Sequence, residues 1–296
     1  MILNVFNIIA PIVIIVSVGY LYAKKYQTDV SVINKLTLDI FVPALVLSVL
    51  IDKEFDILEY KELSIGAILV VFISGLLAWL TVKVTRFNAK TFIPPMMYVN
   101  SGNIGLPLVL LAFGKEAMAA AIVLFIIENT LHFTLGIKTL DRSASLIDML
   151  KIPIILASIF GIVFNLIQFE PPEIILTPLA MIGNIAIPLM LFTLGVRLTD
   201  TNLNDWKIGI IGAVFRPLYG LIALVVVIPL LHLSELNQAL LVIFAILPPA
   251  VLNFLVSEKY NQEPEKVVSI VLIGNLFSIV TIPITLYFLL STTGIQ

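Results

Sequence analysis

Apolar residues run along this chain in long blocks, separated by short stretches where charged and turn-forming residues gather. A bilayer core of about 30 Å takes about 20 helical residues to cross. Ten such blocks can be marked off, at roughly 5–23, 32–51, 63–85, 91–113, 117–138, 152–169, 174–196, 207–231, 237–257 and 266–290. The pattern predicts an all-α polytopic membrane protein with ten transmembrane helices and no separate soluble domain.

Two blocks have interiors unsuited to a continuous helix. The stretch IPPMMYVNSGNIGLPLVLLAFG carries Pro94, Pro95 and Pro107, three glycines, Asn100, Asn103 and Ser101. Block nine carries LPPAVLNF, with Pro248 and Pro249 followed by Leu252, Asn253 and Phe254. Proline removes a backbone donor and clashes with the preceding turn. Carbonyls freed in hydrocarbon cost several kcal/mol each unless protein, water or ligand satisfies them. Blocks four and nine are therefore expected to be broken helices. Proline kinks with polar side chains gluing neighbouring helices, at about 1 kcal/mol each, also account for any one of these residues.

The two breaks belong to a larger self-similarity. IFVPALVLSVL around Pro43 echoes IAIPLMLFTLGV around Pro188; IPPMMYVN around Pro94 echoes LPPAVLNF around Pro248; AAAIVLFIIEN echoes VVSIVLIGN. The offsets are 145, 154 and 148 residues, as expected for one duplication with small loop changes. Five blocks per half is an odd number, so the second half (148–296) crosses the membrane opposite to the first (1–147). Inverted repeats of this kind mark secondary transporters, which build a midplane site from broken helices. Half-helix N-termini there attract anions, and C-terminal carbonyls attract cations.

Composition and charge agree with this picture. The chain is 60 % hydrophobic and 12 % charged, half the charge of an ordinary soluble domain. Lys24 and Lys25 follow the first block directly, and Lys and Arg favour the cytoplasmic side of short loops. Both termini are then extracytoplasmic, and only Lys53, Lys61 and Lys115 of the 17 Lys and Arg residues fall outside. The expected location is the cell (inner) membrane. The outer loop with Asp52, Glu54, Asp56, Glu59 and Glu62 is acidic. The net charge of −2 says nothing useful about partners; no nucleic acid is expected. Cysteine is absent, excluding disulfides and thiol chemistry, and no metal or cofactor is expected. His132 and His232 lack a metal-ligand spacing and read as packing or interface residues.

Ionisable groups at membrane depth are functional candidates by default. Glu128, beside Asn129 in FIIENTLHF, would carry a proton if buried and unpaired, or sit beside Na⁺ or an arginine if ionised; Asn275 recurs at similar depth in block ten. Asp39 is expected to reach the interface, and Arg216 to snorkel toward the cytoplasm. Intramembrane protease, Walker and zinc-hydrolase motifs are missing, which argues against an enzyme or a primary pump. The reading is a secondary carrier for a small organic anion. A membrane-embedded receptor that binds without transport is the alternative.

YVNSGNIGLPLVLLAFG, with LPPAVLNFLVSEKYNQEPEKVVSIVLIGNLFSIVTIPI, resembles the auxin efflux carrier family, which includes plant auxin carriers and bacterial malate and malonate permeases. The resemblance covers essentially the whole chain. It implies scaffold helices at about 5–51 and 152–198, transport-domain helices at about 63–138 and 207–290, crossing spans four and nine, and a homodimeric elevator carrier. It also implies substrate contacts at Asn100 and Asn129, with Phe133 one turn on. The plant crossover prolines are replaced at Val99 and Asn253 on this alignment, and the plant carriers' long central loop is missing.

Overall fold

The apolar blocks fold as helices. The computed structural model describes residues 2–26, 28–52, 55–141, 145, 150–199 and 205–292. Its helices are α1 (Ile2–Lys25), α2 (Ser31–Leu50), α3 (Ile57–Thr85), α4 (Ala89–Met97), α5 (Ser101–Phe113), α6 (Lys115–Leu140), α7 (Pro153–Leu166), α8 (Glu173–Arg197), α9 (Trp206–Leu230), α10 (Glu235–Ile246), α11 (Leu252–Lys259) and α12 (Pro264–Thr292). Seven of these, α1, α2, α3, α6, α8, α9 and α12, are long and apolar enough to cross a membrane. Lys53, Glu54 and the 147/148 boundary between the expected halves lie outside the described residues.

The remaining three expected spans behave differently. Block six yields only the 14-residue α7, while block four becomes α4 plus α5 and block nine becomes α10 plus α11. Local chemistry sets the ends. Asn88 caps α4 by accepting from Lys90 N at 3.0 Å, and Ser234 caps α10 by accepting from Asn237 N at 3.2 Å. The Lys90 ammonium donates to Leu140 O at 2.8 Å, putting a cation on the last carbonyls of α6.

The helices pack in two groups. In one, α1 lies along α8, and α2 packs on α7 and α8; in the other, α9 packs on α3, α10 and α12, with α4 against α3. The α1–α8 approach is backbone on backbone. A Cβ on Gly195 would fall 1.9 Å from Val16 O, and one on Gly19 would fall 2.1 Å from Phe192 O. Small residues are what let membrane helices come this close.

One end of the bundle gathers Arg86, Asn88, Asp205, Lys207, Glu263 and Lys266 around a shared cavity. There Glu263 accepts from Thr91 and pairs with Lys266. The hydrogen bond from Lys266, and then that from Thr91, hold the Glu263 carboxyl below the usual carboxylate range. Lysines 24, 25, 83, 207 and 259, all at helix ends, each lie over an aromatic ring, with Lys83 only 3.5 Å from the Trp79 centroid. Such pairs suit a membrane interface, where an aromatic body and a charged tip each find their medium.

Gly195→Ala is expected to force α1 away from α8 and to destabilise the protein by about 1–3 kcal/mol, the usual range for overpacking. A lowered thermal midpoint in detergent checks it, and Gly19→Ala, whose Cβ would fall 2.1 Å from Phe192 O in the same interface, is expected to lower it likewise.

Candidate functional site

The two helix breaks meet. Between α4 and α5 the helix is interrupted at Tyr98 to Asn100, with Tyr98 extended, and between α10 and α11 it is interrupted from Leu247 to Val251. Val99 and Pro249 form an isolated antiparallel bridge. Asn100 N donates to Pro248 O at 2.8 Å, and Ala250 N donates to Tyr98 O at 3.0 Å. Each break thereby pairs the backbone groups that the other leaves open, as an apolar interior requires.

The reciprocal pair joins residues 98 and 100 to 248 and 250. Pro94 and Pro95 lie inside α4, a turn before the break. Pro107 starts the regular part of α5, where its missing N–H is one that the helix leaves unpaired anyway. The residue opposite Val99 is Pro249, so a proline does occupy one side of the crossing; Asn253 is a turn beyond it.

Amide side chains brace the crossing. Asn100, 3 % exposed, donates from Nδ2 to Asn275 Oδ1 at 2.8 Å, and its own Oδ1 accepts from Asn103 N at 3.2 Å. Asn275 Nδ2 donates to Pro249 O at 3.0 Å and Val271 O at 2.7 Å. Asn253 Nδ2 donates to Tyr98 O and Ala250 O, both at 3.0 Å. The first turn of α5 is wide, with Gly105 N reaching back five residues to Asn100 O at 3.0 Å. Wide turns of this kind recur at Thr37–Phe41 in α2 and at His132–Gly136 in α6. Inserted turns in membrane helices frequently mark functional positions.

A cavity of about 90 Å³ opens beside the crossing. Asn100, Asn103, Glu128, Asn129 and Leu252 line one wall; Asn34, Thr37, Met190, Thr193 and Arg197 of α2 and α8 line the other. Asn129 Nδ2 donates to Phe125 O at 2.8 Å. The cavity shares Asn34, Arg197, Val251 and Leu255 with a larger one of about 730 Å³, which also takes in Asp29, Phe254, Glu258 and Asn275. That larger space lies toward the end of the bundle carrying the α1–α2 connection. The Ser31 backbone N–H, followed by its hydroxyl, holds the Asp29 carboxyl below the usual range there.

Of the expected site residues, then, Asn100, Asn103, Asn129, Leu252 and Glu128 come together on the cavity, and Phe254 and Asn275 on its antechamber. Ser101 and Asn253 are buried behind it. Phe133 packs against the apolar core and is not among the lining residues. Asp39 is exposed on α2 and does not line the cavity.

Two residues differ from their sequence reading. Arg216 does not snorkel: it is 0 % exposed, and its Nη1 donates to Ala245 O at 3.2 Å, at the C-terminal end of α10. Its Nε and Nη2 are buried without a hydrogen-bond partner. His132 is more than a packing residue, since its Nδ1 faces Glu128 Oε1 at 3.4 Å while its ring stacks on Tyr98. The i, i+4 spacing of Glu128 and His132 was the available signal for the latter. Nothing local marked Asn34, Thr37 or Arg197 as cavity residues.

The family model described as "Membrane transport protein" matches residues 4–149 and 143–286. An uncharacterized transporter of Methanocaldococcus jannaschii is 25 % identical, over 96 % of this chain and 99 % of that protein. A protein of Rhizobium meliloti named "Putative malonate transporter" is 28 % identical, over 66 % of this chain and 65 % of its own length.

Asn275→Ala is expected to leave Pro249 O and Asn100 Nδ2 without their partner and to cost about 1–3 kcal/mol, the penalty for stranding buried polar groups. Thermal unfolding in detergent measures it; a change under ~0.5 kcal/mol would mean that the crossing does not depend on this amide.

Proposed function

The chain belongs to the membrane transport protein family, a family of transporters rather than enzymes, and on that premise we propose that it is a secondary carrier for small organic anions. The observation that carries this reading is the amide-lined cavity where two broken helices cross. A substrate carboxylate sits against Asn100, Asn103 and Asn129, close to the N-terminal turn of α5, whose dipole favours an anion.

In this reading the fold is a ten-span inverted repeat, with α1, α2, α7 and α8 as scaffold and the other helices as the moving transport domain. The reciprocal pairing at the crossing and the separate packing of the two groups support it. The cavity lies at their boundary, so a shift of one group past the other carries the substrate between sides. We take the protein to be a homodimer through the scaffold, in the cell membrane, with both termini extracytoplasmic.

A short dicarboxylate such as malonate or malate is preferred over an indole acid. The cavity at the crossing has the volume of roughly three water molecules, and Arg197 lines it from the opposite wall. One carboxylate meets the amides and the second meets the guanidinium, which favours planar carboxylates. The malonate named for the Rhizobium meliloti relative has this chemistry.

Counterflow of labelled malonate in liposomes containing the purified protein tests the carrier reading. Asn100→Ala is expected to raise KM about ten- to hundredfold, the range for a hydrogen bond to a charged group. Saturable binding with no flux for any carboxylate tried would favour a receptor instead. Arg197→Gln is expected to raise KM for malonate about tenfold more than for propionate. Equal effects on the two acids would remove Arg197 from substrate recognition.

A further inference from the structure

We propose that Glu128 and His132 form a proton-holding pair that takes up one proton with each substrate molecule. The inference rests on the carrier reading above and adds the identity of the coupled ion. Glu128 is 2 % exposed and His132 1 % exposed, one helical turn apart on α6. Glu128 Oε2 accepts from Ser101 Oγ at 3.0 Å. Its Oε1 faces His132 Nδ1 across 3.4 Å, and neither atom has a hydrogen-bond partner elsewhere.

Such a pair is satisfied in two states that differ by one proton. A neutral imidazole protonated on Nδ1 donates to the ionised carboxylate, giving the pair a charge of −1. One more proton goes to the other ring nitrogen, Nε2: the pair is then neutral, imidazolium beside carboxylate, and the Nδ1–H contact to Oε1 is kept. Gain and loss of the proton at Nε2 therefore leave the Nδ1–Oε1 contact made in both states, whereas a lone buried carboxylate would alternate between tolerable and costly states.

The surroundings choose a proton over a metal cation. The pair is contacted by Ser101 and by the Tyr98 ring, stacked on His132 at 4.2 Å, and the charge of the buried Arg216 of α9 is felt at Glu128. Na⁺ would need a shell of oxygen ligands, and here the His132 imidazole holds the free carboxylate oxygen. With Arg216 charged, the group carries +1 when the proton is loaded and 0 when it is not.

That difference reaches the substrate, because Glu128 itself lines the cavity. The unloaded pair, with its charge of −1, opposes a carboxylate bound beside it in a low-dielectric site. The loaded pair leaves one positive charge for one carboxylate. Ser101 adjoins Asn100 in the chain, so the protonation state is also felt by the loop that holds the substrate amides.

The test is malonate binding to the full-length protein in detergent, followed by calorimetry in two buffers of different ionisation enthalpy above neutral pH, where malonate is a dianion. About one proton should be taken up per malonate bound, with affinity falling about tenfold per pH unit once the pair loses its proton. Glu128→Gln should abolish the uptake and flatten the pH dependence, and His132→Phe, which keeps the stack on Tyr98, should reduce the uptake well below one. Malonate binding by the wild-type protein with no proton uptake, or binding that requires Na⁺ instead, overturns the proposal without any variant having to fold. Proton-linked binding with no flux in liposomes would retire the carrier reading and leave the pair standing; flux without proton uptake does the reverse. No binding of malonate removes both.

Discussion

Two reciprocal hydrogen bonds, Asn100 N to Pro248 O and Ala250 N to Tyr98 O, are the constraint on which the rest of the structure depends. Each helix break exposes backbone donors and acceptors where there is no water to satisfy them. Either break alone would be a liability. Together they make a short antiparallel contact that closes both accounts and leaves the first turn of α5 opening on a cavity. The amides of Asn100, Asn253 and Asn275 extend the same solution outward from backbone to side chains.

What sequence reasoning could reach follows from the range of each signal. Long apolar helices are legible because hydrocarbon thickness imposes their length locally, and all seven of the long ones coincide with expected spans. The existence of the breaks is legible from proline for the same reason. Their register is not, because two prolines can sit inside α4 while the actual break comes at Tyr98, where pairing with a segment some 150 residues away decides the matter. The site divides similarly. Asn100 and Glu128 stand out as polar groups in apolar runs, but Asn34, Thr37 and Arg197 look like ordinary helix residues until α2 and α8 are packed against α5 and α6.

Arg216 shows how a correct general rule gives a wrong particular. Arginine near a helix end usually reaches water along its own stem. Here α9 presses against the end of α10, close enough that a Cβ on Gly220 would lie 1.7 Å from Ala245 O. That close approach puts the guanidinium, one turn earlier, beside terminal carbonyls that carry negative dipole charge. The arginine thus stabilises a half-helix end that exists only because the helix is broken, so its role could not be read before the break was located.

The two walls of the cavity are held to different standards of polarity, and this bears on the proposed sliding motion. On the crossing side the amides bond across elements, from Asn100 to Asn275 and from Asn253 to Tyr98, which ties those elements together. On the other wall, Thr37 donates its hydroxyl to Ile33 O at 2.8 Å and Thr193 donates to Met190 O at 3.1 Å, each within its own helix. Hydroxyls satisfied in this way present the cavity with little that must be broken when the wall shifts. Leu38, Val42 and Met190 beside them offer non-directional contacts, which are remade at each position at small cost. Under the proposed sliding, the directional network belongs to the crossing side, while the hydroxyls of the facing wall stay bonded within their own helices and Asn34 and Arg197 supply its remaining polar groups.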